Sequence, residues 1–169
     1  MAVATLVSVD EYLASSYSPD KEYIAGQLVE RNVGTQKHAF IQAAIAAYLR
    51  QFRRQHGIEV FTEARMRLND RGDHRIPDVL VLKTPYTRGN VVEDVPLVTV
   101  EIKSPDDTFD EILGKCLEYS ALGVPHIVVV DPEQRRHFVF RDRSLTVVDE
   151  VRIGEITMPL DEMYAEMDG

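Results

Sequence analysis

Three residues raise a chemical question: Asp78 in RIPDVLVLK (Arg75 to Lys83), and Glu101 with Lys103 in LVTVEIKSPDD (Leu97 to Asp107). Both stretches read as apolar strands that a core should absorb, yet an unpaired carboxylate in an apolar sheet is costly. Residues i and i+2 of a strand point the same way, so Glu101 and Lys103 are expected on one face and Ile102 on the other. Two carboxylates from adjacent strands, with an ammonium beside them, form a pocket for a hard divalent cation with oxygen ligands. Magnesium would keep several waters there and still bind a phosphate oxygen. The lysine would orient or deprotonate an attacking water and screen charge on a pentacovalent phosphate. The plain alternative is a partly buried Glu101–Lys103 salt bridge, with Asp78 capping or ending its strand.

Three features favour the metal reading. Glu101-Ile102-Lys103 is the only acid–x–lysine in the chain. Pro77-Asp78 is the only Pro-Asp that leads directly into an apolar strand, since Pro19-Asp20 and Pro105-Asp106 sit in loop-like stretches. The order, an Asp strand, then the Glu-x-Lys strand, then a helix, is also the order such a site requires.

The elements that must position these residues follow from periodicity. Val9 to Ser15 reads as a short helix, and Tyr23 to Arg31 as a strand with a turn or bulge at Gly26. TQKHAFIQAAIAAYLRQFRRQHG carries apolar residues at 40, 41, 44, 45, 48, 49 and 52, a helical stripe that stops at Gly57. Ile58 to Asn69 alternates like a half-exposed strand, and NDRGDH reads as a turn. The strand ending in Glu101 is apolar on both faces before that residue, which suits a central strand. Thr108 to Leu122 predicts a helix with Phe109, Ile112, Leu113, Cys116, Tyr119 and Ser120 on one face, ended by Gly123 and Pro125. HIVVVDP is a fully apolar strand, HFVFRD and LTVVDEV pair as outer strands, and ITMPLDEMYAEMDG forms a last helical turn. LVTVEIK, the helix and HIVVVDP make a crossover unit whose strands should be parallel neighbours. The expected architecture is α/β, a mixed central β-sheet flanked by helices.

Length and composition bound the rest. A chain of 169 residues, 44% hydrophobic, supports one domain with a real core, so residues 1–169 are read as a single domain. No apolar run approaches a membrane span, and the N-terminus lacks the basic region of a signal peptide. A single cysteine, Cys116, fits a reducing, cytoplasmic setting. Net charge is −9, which argues against a non-specific nucleic-acid coat. Even so, Arg50 to Arg75 holds seven arginines (50, 53, 54, 65, 67, 71, 75) against Glu59, Glu63, Asp70 and Asp73, so either a basic face or a mixed solvated surface is open there.

The pattern P-D … E-x-K after an opening helix resembles the PD-(D/E)XK nuclease superfamily. More closely, the chain is similar to the Uma2 family of restriction-endonuclease-like proteins. The similarity rests on YIAGQLVERNVGTQKH, RIPDVLVL, VTVEIKSPDD and KCLEYSALGVPHIVVVDP, in order over residues 23 to 132. It implies a restriction-endonuclease-like fold, with Asp78, Glu101 and Ile102 as metal positions and Lys103 as the catalytic lysine. It implies Glu30 as a further acidic site residue and places Glu111, Lys115 and Tyr119 on a helix near the site. Many members carry an apolar residue where Lys103 stands and rely on the helix lysine; this chain has both, so either Lys103 or Lys115 could be the main cation. His38 could contact phosphate or assist catalysis, or cap and pack its helix. The expected activity is that of a Mg2+-dependent endonuclease on DNA, with Mn2+ as an alternative ion and RNA as an alternative substrate, working as a homodimer. The competing expectation is a non-catalytic, dimeric nuclease-fold protein that binds nucleic acid or a protein partner.

Overall fold

The computed structural model describes residues 5–169, so the first four residues of the N-terminal stretch read above for a leader lie outside the described residues. The Ser8 hydroxyl accepts from the Glu11 amide and caps α1 (Val9–Ala14), whose first turn places Asp10 and Glu11 at the positive end of the helix dipole. The expected strand over residues 23–31 is instead an antiparallel hairpin, β1 (Glu22–Ile24) and β2 (Gln27–Val29). Ala25 and Gly26 turn it, both at positive φ.

Thr35 then caps α2 (Gln36–Arg50), which buries Ile41, Ile45 and Leu49. The expected single helix breaks there, and a one-turn α3 (Arg53–His56) ends at Gly57, whose φ of 59° is the left-handed conformation that suits glycine. The stretch expected to alternate as one strand to Asn69 also divides, because Glu63 takes a positive φ. β3 (Ile58–Thr62) stays with the main sheet, while β4 (Met66–Arg67) and β5 (His74–Arg75) join the hairpin in a small sheet of order β2-β1-β5-β4.

β6 (Val79–Lys83), β7 (Val98–Ile102), α4 (Phe109–Leu122) and β8 (His126–Asp131) follow. β9 (Arg136–Arg141) and β10 (Ser144–Val147) form the expected outer hairpin. A second hairpin, β11 (Val151–Ile153) with β12 (Ile156–Met158), and a helix α5 (Leu160–Glu166) stand where only one helical turn was expected.

The main sheet runs β10-β9-β8-β7-β6-β3. β7 and β8 are parallel and joined through α4, as the crossover predicts, and the other neighbours are antiparallel. β7 is central and buried along its whole length. Alternation divides the core: Val79, Val81, Val98, Val100, Ile102 and Val130 face α2, α5 and the β11–β12 hairpin. Leu80, Leu82, Ile127 and Val129 pack with Ile112, Cys116 and Tyr119 of α4. Of the helix face predicted for α4, Ile112, Cys116 and Tyr119 are buried, while Phe109 is 38% exposed, Leu113 half-buried and Ser120 exposed, so the buried stripe is narrower than predicted. Each fully buried Val, Leu or Ile adds roughly 1.5–3 kcal/mol, and that reservoir lets the same sheet hold carboxylates.

The arginine-rich stretch does not make a basic face. Arg65 is bound by Asp20, Arg67 by Glu93, Arg71 by Asp73 and Arg75 by Glu22 and Glu118, while Arg50 approaches Glu59. Only Arg53 and Arg54, on α3, have no acidic partner among the described residues.

Candidate active site

Asp78 sits one residue before β6, and the pairing of Val79 with Val100 brings it to the end of β7 that carries Glu101. Its Oδ2 accepts from the Ile102 amide at 2.7 Å. Its Oδ1 lies 3.3 Å from His38 Nε2 and 3.4 Å from Arg31 Nη2. The capping of α2 by Thr35 fixes His38 in its first turn and aims the imidazole at Asp78. Burial pulls that imidazole's pKa down, but the hydrogen bond and charge of Asp78 outweigh it, and the net direction is up.

Glu101 projects to the α4 side of the sheet. Its Oε1 accepts from the Tyr119 hydroxyl at 2.5 Å and its Oε2 lies 3.5 Å from Lys115 Nζ. Burial pushes the Glu101 carboxyl well above the usual carboxylate range; Lys115 opposes this, while the charges of Asp78 and Glu22 add to it. The Glu101 charge in turn holds the Lys115 ammonium above its ordinary pKa despite burial. Burial also raises the Tyr119 phenol, so it stays a donor.

A third buried carboxylate completes the cluster. Glu22 on β1 is 1% exposed. Its Oε1 accepts from the Ile76 amide at 3.0 Å and lies 3.8 Å from Lys115 Nζ, and its Oε2 accepts from Arg75 Nη1 at 2.8 Å. Arg75 also grips Glu118 of α4 through two bonds of 2.7 and 3.1 Å. Across the mouth, the Asn32 amide donates to Asp107 at 2.5 Å, and Asp107 also accepts from the Ser104 amide. The cavity, open on one side, is about 470 Å³.

The residues singled out from the sequence fall into two groups. Asp78, Glu101, Lys115, Tyr119 and His38 converge. Glu30 is exposed at the rim, with its carboxylate 3.3 Å from Lys21. Glu111 lines the wall but is engaged in the capping box of α4 with Thr108. Lys103 lies just past the end of β7; its ammonium donates to the Ser104 carbonyl and stands over the Phe109 ring, 5.6 Å from its centroid. It makes no salt bridge with Glu101, so the buried-pair alternative is not what the strand carries. Sequence reasoning missed Glu22, Arg31 and Arg75. Arg75, directly upstream of Ile76-Pro77-Asp78, carried the clearest available signal.

The donor set suits a hard cation. Asp78 and Glu101 offer carboxylate oxygens and Ile102 a backbone carbonyl, and a divalent ion would offset both the burial that chiefly raises Glu101 and the lesser repulsion from Asp78. Among the described residues no group of three or more His, Cys, Asp or Glu side chains stands in metal-holding geometry. A magnesium ion that keeps several waters needs only one or two carboxylates. Carboxylates outnumber cations around the cavity: Glu22, Glu30, Asp78, Glu101, Asp107, Glu111 and Glu118 against Arg31, Arg75 and Lys115.

Comparison with known proteins bears on this geometry. The family model Uma2, described as "Putative restriction endonuclease", matches residues 9–162. A solved structure described as "a putative nuclease belonging to DUF820" from Anabaena variabilis superposes with a TM-score of 0.83 at 22% identity, covering 95% of this chain and 99% of that one. At that identity the likeness speaks for the fold. A second solved structure, a DrdV–DNA complex, matches with a TM-score of 0.42 at 20% identity, covering 75% of this chain and 11% of that one. No curated protein matches the chain in sequence. No helix among the described residues is long and apolar enough to cross a membrane.

Proposed function

The chain belongs to the Uma2 family of restriction-endonuclease-like proteins, and on that footing we propose that it is a divalent-cation-dependent phosphodiesterase that cuts DNA as an endonuclease. The observation that carries the proposal is the meeting of Asp78 and Glu101 at one end of β6 and β7, with the Lys115 ammonium 3.5 Å from Glu101. Asp78, Glu101 and the Ile102 carbonyl would hold Mg2+, or Mn2+ in its place. When bound, the ion would polarise a phosphate oxygen and lower the pKa of a bound water. The chain's own groups do the rest. Lys115 offsets negative charge as it develops on the phosphate. Tyr119 fixes the orientation of the Glu101 carboxylate. His38 stands at Asp78, within reach of a proton at that oxygen. A cavity wall richer in acids than bases would repel a phosphodiester, which argues that the cation is needed before nucleic acid can enter.

Cutting both strands of a duplex calls for two active centres, so a homodimer is part of the proposal; RNA is the alternative substrate and the cytoplasm the expected compartment. The decisive experiment incubates supercoiled and linear DNA with the protein in Mg2+, Mn2+ or EDTA, beside Asp78→Asn and Glu101→Gln. Metal-dependent cleavage, lost in both variants, is expected. Cleavage that survives both substitutions would sink the reading.

A second reading has its own observation: Asp78 and Glu101 are already engaged by His38, Arg31, Tyr119 and Lys115. A site satisfied internally suits a non-catalytic nuclease-fold protein that binds nucleic acid or a protein partner. Calorimetric titration with Mn2+ discriminates, because that reading requires no specific metal binding in either wild type or variants.

A further inference from the structure

A second cavity, about 310 Å³, opens at the opposite end of the same two strands. β6 and β7 are antiparallel, so Asp78 and Glu101 mark one end while Lys83 and Leu97 mark the other, roughly 15 Å away along a five-residue strand. The two cavities differ in chemistry. The first is walled by charge. The second has an apolar floor of Leu49, Ile58, Val81, Val98, Ile153 and Ile156, the last two brought in by the β11–β12 hairpin, which turns at Gly154 with φ of 59°.

Three polar heads stand around that floor: His56, Lys83 and His126. Neither imidazole has a hydrogen-bond partner among the described residues, and the Lys83 ammonium has no acidic partner there. The His56 ring packs edge-on against the Phe52 ring, with centroids 5.8 Å apart. Glu155 is the only acid among the lining residues. The adjoining α3, which supplies His56, also carries the exposed and unpaired Arg53 and Arg54. Lys83 and Glu155 balance within the lining, and burial lowers the pKa of the His126 imidazole, so the imidazoles serve as N–H donors and the excess of positive charge near this end lies with Arg53 and Arg54. A concave apolar pocket with a few convergent polar groups is the usual form of a small-molecule site.

We propose that this cavity binds a small amphipathic anion: an apolar body of several carbons seated on the Ile58–Val98–Ile156 floor, with one anionic group held by Lys83 and the imidazoles of His56 and His126. The site is independent of the nuclease reading, shares no residue with the first cavity, and would stand if the chain cut nothing.

The test uses the full chain and octanoate as probe, with acetate as head alone and 1-hexanol as tail alone. Binding is followed by NMR at the ring resonances of His56 and His126. Octanoate is expected to shift both rings saturably and to leave His38 unmoved, while acetate and hexanol bind at least tenfold more weakly. Lys83→Met, at an exposed position, should weaken octanoate about fivefold, the upper end for one exposed charge pair. Leu97→Phe, which narrows the cavity, should abolish the shifts. No saturable shift with octanoate, equal binding of hexanol, or octanoate binding unchanged by Lys83→Met would each overturn the proposal.

Discussion

The Tyr119 hydroxyl donates to Glu101 Oε1 across the buried interface of α4 and β7, at 2.5 Å. The Tyr119 ring is fully buried and Glu101 is 5% exposed at the cavity, so each satisfies the other on the buried side: the phenol gives the carboxylate a donor, and the carboxylate gives the phenol an acceptor. The bond also fixes which carboxylate oxygen is left for Lys115 and the cavity.

Removing that donor should therefore cost both stability and function. Tyr119→Phe keeps the ring packing but leaves a buried acceptor short of a partner, a loss of about 1–3 kcal/mol. Urea unfolding of the variant checks this, and an unchanged midpoint would show that the bond is inert.

The two lysines should behave differently. Lys115 faces Glu101 and Glu22, whereas Lys103 is turned onto Phe109 and the Ser104 carbonyl. Lys115→Met is expected to lower any DNA cleavage by roughly a hundredfold or more, the scale of losing one positioned electrostatic group. Lys103→Met should leave it within a few-fold of wild type. Rate assays on both variants decide, and the reverse order would move the catalytic cation to the strand.

Arg75 should matter to folding more than its surface-like residue type suggests. Among the described residues it is the only cation bonded directly to the Glu22 carboxylate at hydrogen-bond distance. Arg75→Met strands a buried charge, which costs about 3–5 kcal/mol. Arg75→Met combined with Glu22→Gln should recover part of that loss. Thermal unfolding of single and double variants measures the coupling, and strict additivity would mean the two do not communicate.

Acid should loosen the junction of α1 with the small sheet. Burial works to raise the Asp20 carboxyl, but its two 2.7 Å bonds from Arg65 outweigh that and hold it below the usual range; Asp73 is likewise lowered, by Asn69, the Ala25 amide and Arg71. A folded-state pKa below the unfolded value means the stability is present above the unfolded carboxylate value of about 3.9 and is lost as pH falls through the folded one. Denaturation midpoints should thus drop in acid for wild type and drop less for Asp20→Asn. Parallel curves would remove Asp20 from the account.

The strands and helices nearest the site were legible because their signals are local: continuous apolar runs in β6 and β7, a helical stripe in α4, and Gly123 as a stop. The proximity of Asp78 to Glu101 followed from strand order alone. What escaped depends on contacts remote in sequence. Glu22 is buried by Arg75 and Ile76, some fifty residues on, and nothing in GluTyrIle tells that it is held there rather than exposed like Glu30. Lys103 stands where the alternation rule no longer reaches: it lies just past the end of β7, and its ammonium turns to Phe109 and the Ser104 carbonyl. The splitting of residues 58–69 turned on one backbone angle at Glu63, which no pattern of residue types announces.

Lys115, Glu118 and Tyr119 stand at i, i+3 and i+4 of α4, one face of a single rigid rod. One inserted or deleted residue upstream within the helix rotates that face by about 100° and removes all three groups together. In the connection between β6 and β7, Val92 is buried and bonded through its backbone to Arg65 and Arg67, whereas the tip, residues 88–90, is exposed and carries no such constraint. Lineages descended from this chain are therefore free to vary in length there, while the interior of α4 is held to one reading frame of its own, and drift in the site must proceed by substitution alone.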